Sequence, residues 1–276
     1  MRVEHNNSDI SIAAVLVVLF IAIAAIEVGS QSRQSGTPRT APPDLNGIWQ
    51  AITTANWDLQ PHSARPGPSQ FGAMFSEPAG QGVVAGGPIP YQPWAAAKQK
   101  ENFERRFTAD PEAKCYLPGV PRATYMPYPF QIIQTPKYIL ITYAYDNALR
   151  TIHMDAGKPN PVDIAFDTWM GYSSGVWNGL TLTVEASHFN DLTWFDRAGN
   201  FHSDALKVVE RYTPVDGDHV NYEASVEDPK VFTRPWTMTV PLYRIKDKNA
   251  QLLHFNCVEF SEELLYGHFR SGPLVR

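Results

Sequence analysis

Between His188 and Tyr212 the chain reads HFNDLTWFDRAGNFHSDALKVVERY, its densest collection of groups able to move protons or hold charge. His202 suits a proton shuttle, because an imidazole changes charge near neutral pH. Glu210 lies in a run with strand alternation. There it shares a face with Leu206, Val208 and Tyr212, while Lys207, Val209 and Arg211 point the other way. One of the adjacent pair Glu210 and Arg211 must therefore face an interior. A carboxylate so placed has its pKa raised by desolvation, or is held ionised by a paired cation. Either state suits a general acid or base, or an orienter of His202. Asp191 is the candidate partner acid, and Arg211 would steady developing negative charge if it faced the site. Together these imply acid–base chemistry without a cofactor, of lyase, isomerase or hydrolase type. The same residues also have a structural reading: Asp191 and Asp196 closing Asx turns, and a buried Glu210 tying the loop to backbone N–H groups.

Aromatic side chains around this stretch suit an apolar or aromatic small molecule. Trp194, Trp236 and Tyr128 are the candidates to hold its ring, with Asn190 from the same loop. A packing role is the competing expectation for all three aromatics. Gly171-Tyr172-Ser173-Ser174-Gly175 matches G-x-S-x-G, but a strand-like run and an Asn178-Gly179 turn follow it where a hydrolase elbow needs a helix. Ser173 is therefore rejected as a nucleophile. No H-E-x-x-H, C-x-x-C or H-x-H occurs, so no metal is expected, although ligands from separate strands stay open. Without a Walker A sequence, or a G-x-G-x-x-G before a helix, no nucleotide cofactor is expected either.

The elements that must position these residues are mostly strands. KYILITYAY, LTLTVEAS, LKVVERY, HVNYEASV, WTMTVPLYRI and QLLHFNCV are β-branched and aromatic, and are separated by Asp-Gly, Asp-Pro and Lys-Asp-Lys-Asn turns. In LTLTVEAS, Leu180, Leu182, Val184 and Ala186 fall on one face. Cys257 and His254 fall in the last of these runs and His153 on a separate strand, so both histidines read as wall residues. Pro93 to Phe107 reads as the single helix, with Trp94, Ala97 and Phe107 as its buried stripe. Between Pro61 and Pro93 come seven prolines and six glycines, the composition of a long segment that wraps the domain. Regular strand spacing, a G-x-W at 47–49 and one helix predict a single antiparallel, lipocalin-like β-barrel over residues 44–276.

Ahead of that domain, Ile10 to Ile26 is uncharged and apolar except for Ser11. Its length borders both a long signal h-region and a short membrane span, so 1–30 reads as a signal peptide or N-terminal membrane anchor. Residues 31–43 form a Ser/Pro/Thr-rich linker. The domain is then expected in the periplasm or held at the membrane outside the cytoplasm, touching the membrane only through that N-terminal segment. A net charge of −5 without a basic run argues against nucleic acid as a partner. Two cysteines exclude a disulfide-dense scaffold, and in an exported chain Cys115 and Cys257 are expected to be bridged, pinning the wrap to the barrel.

Several stretches resemble a set of exported bacterial proteins of unassigned function. They are DLNGIW (44–49), PWAAAK (93–98), DPEAKCYLPGVPR (110–122), PFQIIQ (129–134), GYSSGVWNGLTLTVE (171–185), FNDLTWFD (189–196), HSDALKVVERY (202–212), DPKVFTRPW (228–236) and CVE (257–259). The resemblance implies that both cysteines belong to the family pattern, and it implies no activity or cofactor. Where relatives tend to read Trp-Glu-Gly-Asp, this chain has Trp177-Asn178-Gly179-Leu180. The leading expectation is an exported barrel enclosing an apolar or aromatic small molecule and acting on it by acid–base catalysis. The alternatives are a non-catalytic lipocalin-like carrier and an envelope interaction module.

Overall fold

The computed structural model describes residues 41–67, 76–154 and 159–269. The proposed export segment at 1–30 and most of the linker lie outside them. Among the described residues no helix is long and apolar enough to cross a membrane.

Nine strands close into one barrel in chain order: β1 (Gly47–Ala51), β2 (Phe130–Gln134), β3 (Tyr138–Tyr143), β4 (Leu149–His153), β5 (Tyr172–Asn178), β6 (Thr181–Ser187), β7 (Lys207–Pro214), β8 (His219–Glu227) and β9 (Trp236–Arg244). Adjacent strands run antiparallel except β4 and β5, which pair in parallel through Ile152↔Ser173 and His153↔Ser174. The parallel step is a matter of parity. A ring with an odd number of strands cannot alternate direction all the way round, and one parallel pair lets β9 meet β1 antiparallel at Trp49↔Arg244. A parallel neighbour needs a long crossover, and the chain supplies one from 154 to 171. The mainly β, single-barrel expectation holds, with one strand more than the eight of a lipocalin.

Alternation decides what fills the interior. Val208, Glu210 and Tyr212 of β7 point in, as do Val220, Tyr222, Ala224 and Val226 of β8 and Trp236, Met238, Val240 and Leu242 of β9. On β6, Leu182, Val184 and Ala186 are buried as expected. Leu180 is not: it sits 47% exposed in the tight β5–β6 hairpin turn. β4 inverts the usual pattern, with Leu149 58% exposed and Arg150 buried.

Two further expectations are corrected. The helix α1 spans Pro93–Glu104 with proline in its first turn, but Trp94 is 55% exposed and the buried residues are Ala95 and Asn102. Its face meets the 188–206 loop through polar atoms, Gln99 Nε2 donating to Ala198 O and Asn102 Nδ2 to Gly199 O. Gly199 is required there, since a Cβ would come within 2.6 Å of Asn102 Cβ at a φ of +82°. QLLHFNCV is not a strand; the barrel is already closed by β9 on β1, and only Phe255 bridges to Tyr145. His254 is accordingly exposed rather than in a wall, while His153 ends β4 between the rings of Tyr138 and Tyr172.

The wrap folds back on itself at His62↔Gly80 and Arg65↔Glu77, then lies along β9 at Val84↔Met238. Cys115 and Cys257 are bridged. Because Cys257 lies beyond β9, the bond joins the short 3-10 helix region at Pro111–Lys114 to the C-terminal tail, not the wrap to a barrel strand.

Candidate functional site

The residues with the chemistry fall into three separate assemblies. The first is inside the barrel. Glu210 faces Arg150 across the lumen, with Arg150 Nη1 donating to Oε1 at 3.0 Å and Nη2 to Oε2. Arg150 Nε donates to Ser173 Oγ at 2.9 Å, and Tyr212 and Tyr222 hydroxyls donate to Glu210 Oε1 at 3.1 and 2.8 Å. Burial and the carboxylate's charge together raise both tyrosine pKa values well above normal. Ser173 is thus a strand residue serving Arg150, in keeping with its rejection as a nucleophile. Arg211, the outward neighbour, pairs with Glu223 on the barrel surface, and so does not meet the condition for steadying charge inside.

The second assembly is the 188–206 loop. His202 is 4% exposed, and its Nε2 lies 2.6 Å from Thr193 Oγ1 while Nδ1 lies 2.9 Å from Ser203 O. A carbonyl can only accept, so Nδ1 carries the proton and the Thr193 hydroxyl donates to Nε2. Burial lowers the His202 pKa, with the Ser203 carbonyl opposing, which fits a neutral ring. Neither Glu210 nor Asp191 is hydrogen-bonded to it. Asp191 is exposed, and Asn190 caps its own turn by accepting from Leu192 N. His202 and Trp236 do share a neighbour: Phe195 lies 5.3 Å from the imidazole and 5.6 Å from the indole, ring centre to ring centre. Trp236 is buried, and its Nε1 finds no partner among the described residues. Trp194 is half-buried and bridges Phe201, whereas Tyr128 packs against Tyr145 and Phe255 near the disulfide.

The rest of the loop's polar groups hold the wrap down. Asp196 is fully buried and accepts from Leu59 N, Asn200 N and Asn200 Nδ2. Burial and the charge of Asp58 outweigh those three donors and push its pKa up to about 8. Arg197 forks onto Glu112 with two bonds of 2.8 Å and covers the Trp57 ring. Glu112 also takes Arg122 Nη2 at 2.7 Å, and Arg122 forks onto Asp110. Burial works to raise the Glu112 pKa, but Arg197 first and then Arg122 overcome it and hold the group at about 2. Ion pairing explains why Asp110, Glu112 and Arg122 can be buried here; Asp196 is held by amide donors instead, and its raised pKa reflects that.

The third assembly was not singled out from the sequence. A cleft of about 660 Å³ opens between the wrap and α1, lined by Asp58, Gln60, Pro61, Arg65, Val84, Gly87, Pro88, Gln99, Lys100 and Phe103. Its frame is stiff. Arg65 donates to Asp58 Oδ2 at 2.7 Å and to Glu77 Oε2 at 3.0 Å, while Arg106 Nε holds the other Glu77 oxygen and stacks on Phe103. His62 sits behind, its two ring nitrogens against the carbonyls of Gln60 and Pro78. The only sequence signal was the run of prolines and glycines, which marked a long loop without locating a cavity. Among the described residues no cluster of three His, Cys, Asp or Glu could hold a metal.

Compared with protein-family models, curated proteins and solved structures, the chain matches none.

Proposed function

We propose that this chain is an exported small-molecule-binding protein, and that its ligand occupies the cleft between the wrap and α1 rather than the barrel lumen. One observation carries the reading. The cleft is open, has the volume of a small-molecule site, and keeps polar groups that have no partner among the described residues, whereas the lumen is occupied by Arg150, Glu210, Tyr143, Tyr212 and Tyr222. Export is supported by the apolar segment Ile10–Ile26 and by the Cys115–Cys257 bond, which belongs to oxidising compartments. The resemblance to exported bacterial proteins points the same way.

A thermal-shift screen of metabolites tests the binding reading, repeated with Lys100→Trp to fill the cleft from an exposed helical position. Hits that shift the native protein and not the variant support it; hits that shift both equally overturn it.

A second reading, acid–base catalysis at His202, keeps one favourable observation. A hydroxyl donating to an imidazole that a third group orients is the arrangement of an activated nucleophile. Turnover of the same hits, lost in His202→Ala, would establish it. Binding without turnover would exclude it.

A further inference from the structure

From the free groups of the cleft we infer the ligand class: a planar aromatic acid carrying a hydroxyl or similar donor. This rests on the binding reading above. The argument is an inventory of what the walls leave unused. Asp58 is already spent, with Oδ1 accepting from Gln60 N and Oδ2 from Arg65. Arg65, Arg106, Asp58 and Glu77 form a charge-balanced quartet. Along α1, Lys98 and Arg105 both pair with Glu101. Lys100 makes no ion pair among the described residues, and of the charged residues lining the cleft it alone is left unpaired there, Asp58 and Arg65 being bonded to each other.

The two glutamines add direction. Gln60 Oε1 accepts from Ile89 N at 3.1 Å, which fixes the amide orientation and leaves its NH₂ group without a partner among the described residues. Gln99 is fixed the opposite way, donating Nε2 to Ala198 O at 2.8 Å and leaving its carbonyl without a partner among the described residues. An ammonium and an amide NH₂ call for a carboxylate, and the lone carbonyl for a ligand O–H or N–H. Between them Pro61, Val84 and Pro88 give apolar walls that favour a flat ring, while the Phe103 ring is already engaged by Arg106 and Arg65. A dianion or phosphate is disfavoured, since Arg65 is engaged and only Lys100 remains.

The test uses the full-length, disulfide-bonded protein and two probes, 4-hydroxybenzoate and the neutral 4-hydroxybenzyl alcohol. Affinities are read by calorimetry on the wild type and on Lys100→Gln. The expected result is an acid bound roughly tenfold more tightly than the alcohol, the gap closing in Lys100→Gln while alcohol affinity is unchanged. Equal affinities, or a gap that survives the substitution, would overturn the ligand class and leave the cleft as a binding site. Neither probe binding, in a protein whose thermal-shift hits are also insensitive to Lys100→Trp, would overturn both.

Discussion

Replacing Glu210 by Gln isolates the role of the charge in the barrel core. The side chains of Arg150 and Glu210 are 1% and 0% exposed, and the carboxylate accepts two guanidinium bonds and two tyrosine hydroxyls. Glutamine keeps the volume but strands the guanidinium charge away from water, and turns one acceptor into a donor facing other donors. Removing one partner of such a pair costs about 3–5 kcal/mol, a large part of a total stability of roughly 5–15 kcal/mol. In a barrel of this size that corresponds to a fall in Tm of roughly 6–20 °C. Urea unfolding followed by tryptophan fluorescence measures it, with the slope m expected to stay constant. The double variant Arg150→Met/Glu210→Leu removes both charges and is expected to lose less stability than Glu210→Gln alone. A Glu210→Gln variant within 1 kcal/mol of wild type would refute the reasoning, because it would mean the pair is not dry. A folded Glu210→Gln protein should also bind cleft ligands with wild-type affinity.

Other perturbations give distinct signatures. Breaking Cys115–Cys257 opens a loop with a sequence separation of 142 and is expected to cost up to about 5 kcal/mol in the chain-entropy model, read as a lower urea midpoint for Cys115→Ala/Cys257→Ala. Glu112 has a folded pKa near 2, below its unfolded value of 4.5, so its contribution is present above pH 4.5 and is lost as pH falls towards 2. Glu112→Gln should be less stable at pH 7 and show an acid limb flatter by an amount on the order of 3 kcal/mol; an unchanged limb would contradict the Arg197–Glu112–Arg122 cluster. On α1, Trp94→Ser is expected to change stability by under about 1 kcal/mol, whereas Ala95→Leu overpacks a buried site and costs about 1–3 kcal/mol by the same measurement.

The barrel was legible because β6 to β9 alternate cleanly, and the same alternation correctly required either Glu210 or Arg211 to face inward. Its partner was hidden by the local pattern of β4. LRTIH places Leu149 and Ile152 on opposite faces, so alternation alone does not choose between them; Ile152 takes the core and Arg150 turns in beside it to meet the buried carboxylate. The 188–206 loop was read as a site because its residue types are chemical. Sequence spacing cannot reveal that Asp196, Arg197 and Asn200 are satisfied by Leu59, Glu112 and Tyr91, more than a hundred positions away in two of the three cases. QLLHFNCV has strand composition, but its place in the ring was already taken by the β1–β9 pairing. The helix stripe misled because α1 docks by amide side chains, with Ala95 as its only buried apolar residue. The cleft stayed invisible because its walls come from segments linked only through tertiary contacts.

The most direct test is protein-observed NMR with a thermal-shift hit. Chemical-shift changes confined to Gln60, Val84, Gly87, Gln99, Lys100 and Phe103 are predicted; changes centred on Arg150, Glu210, Tyr212 and Tyr222 would place the ligand in the lumen and contradict the account.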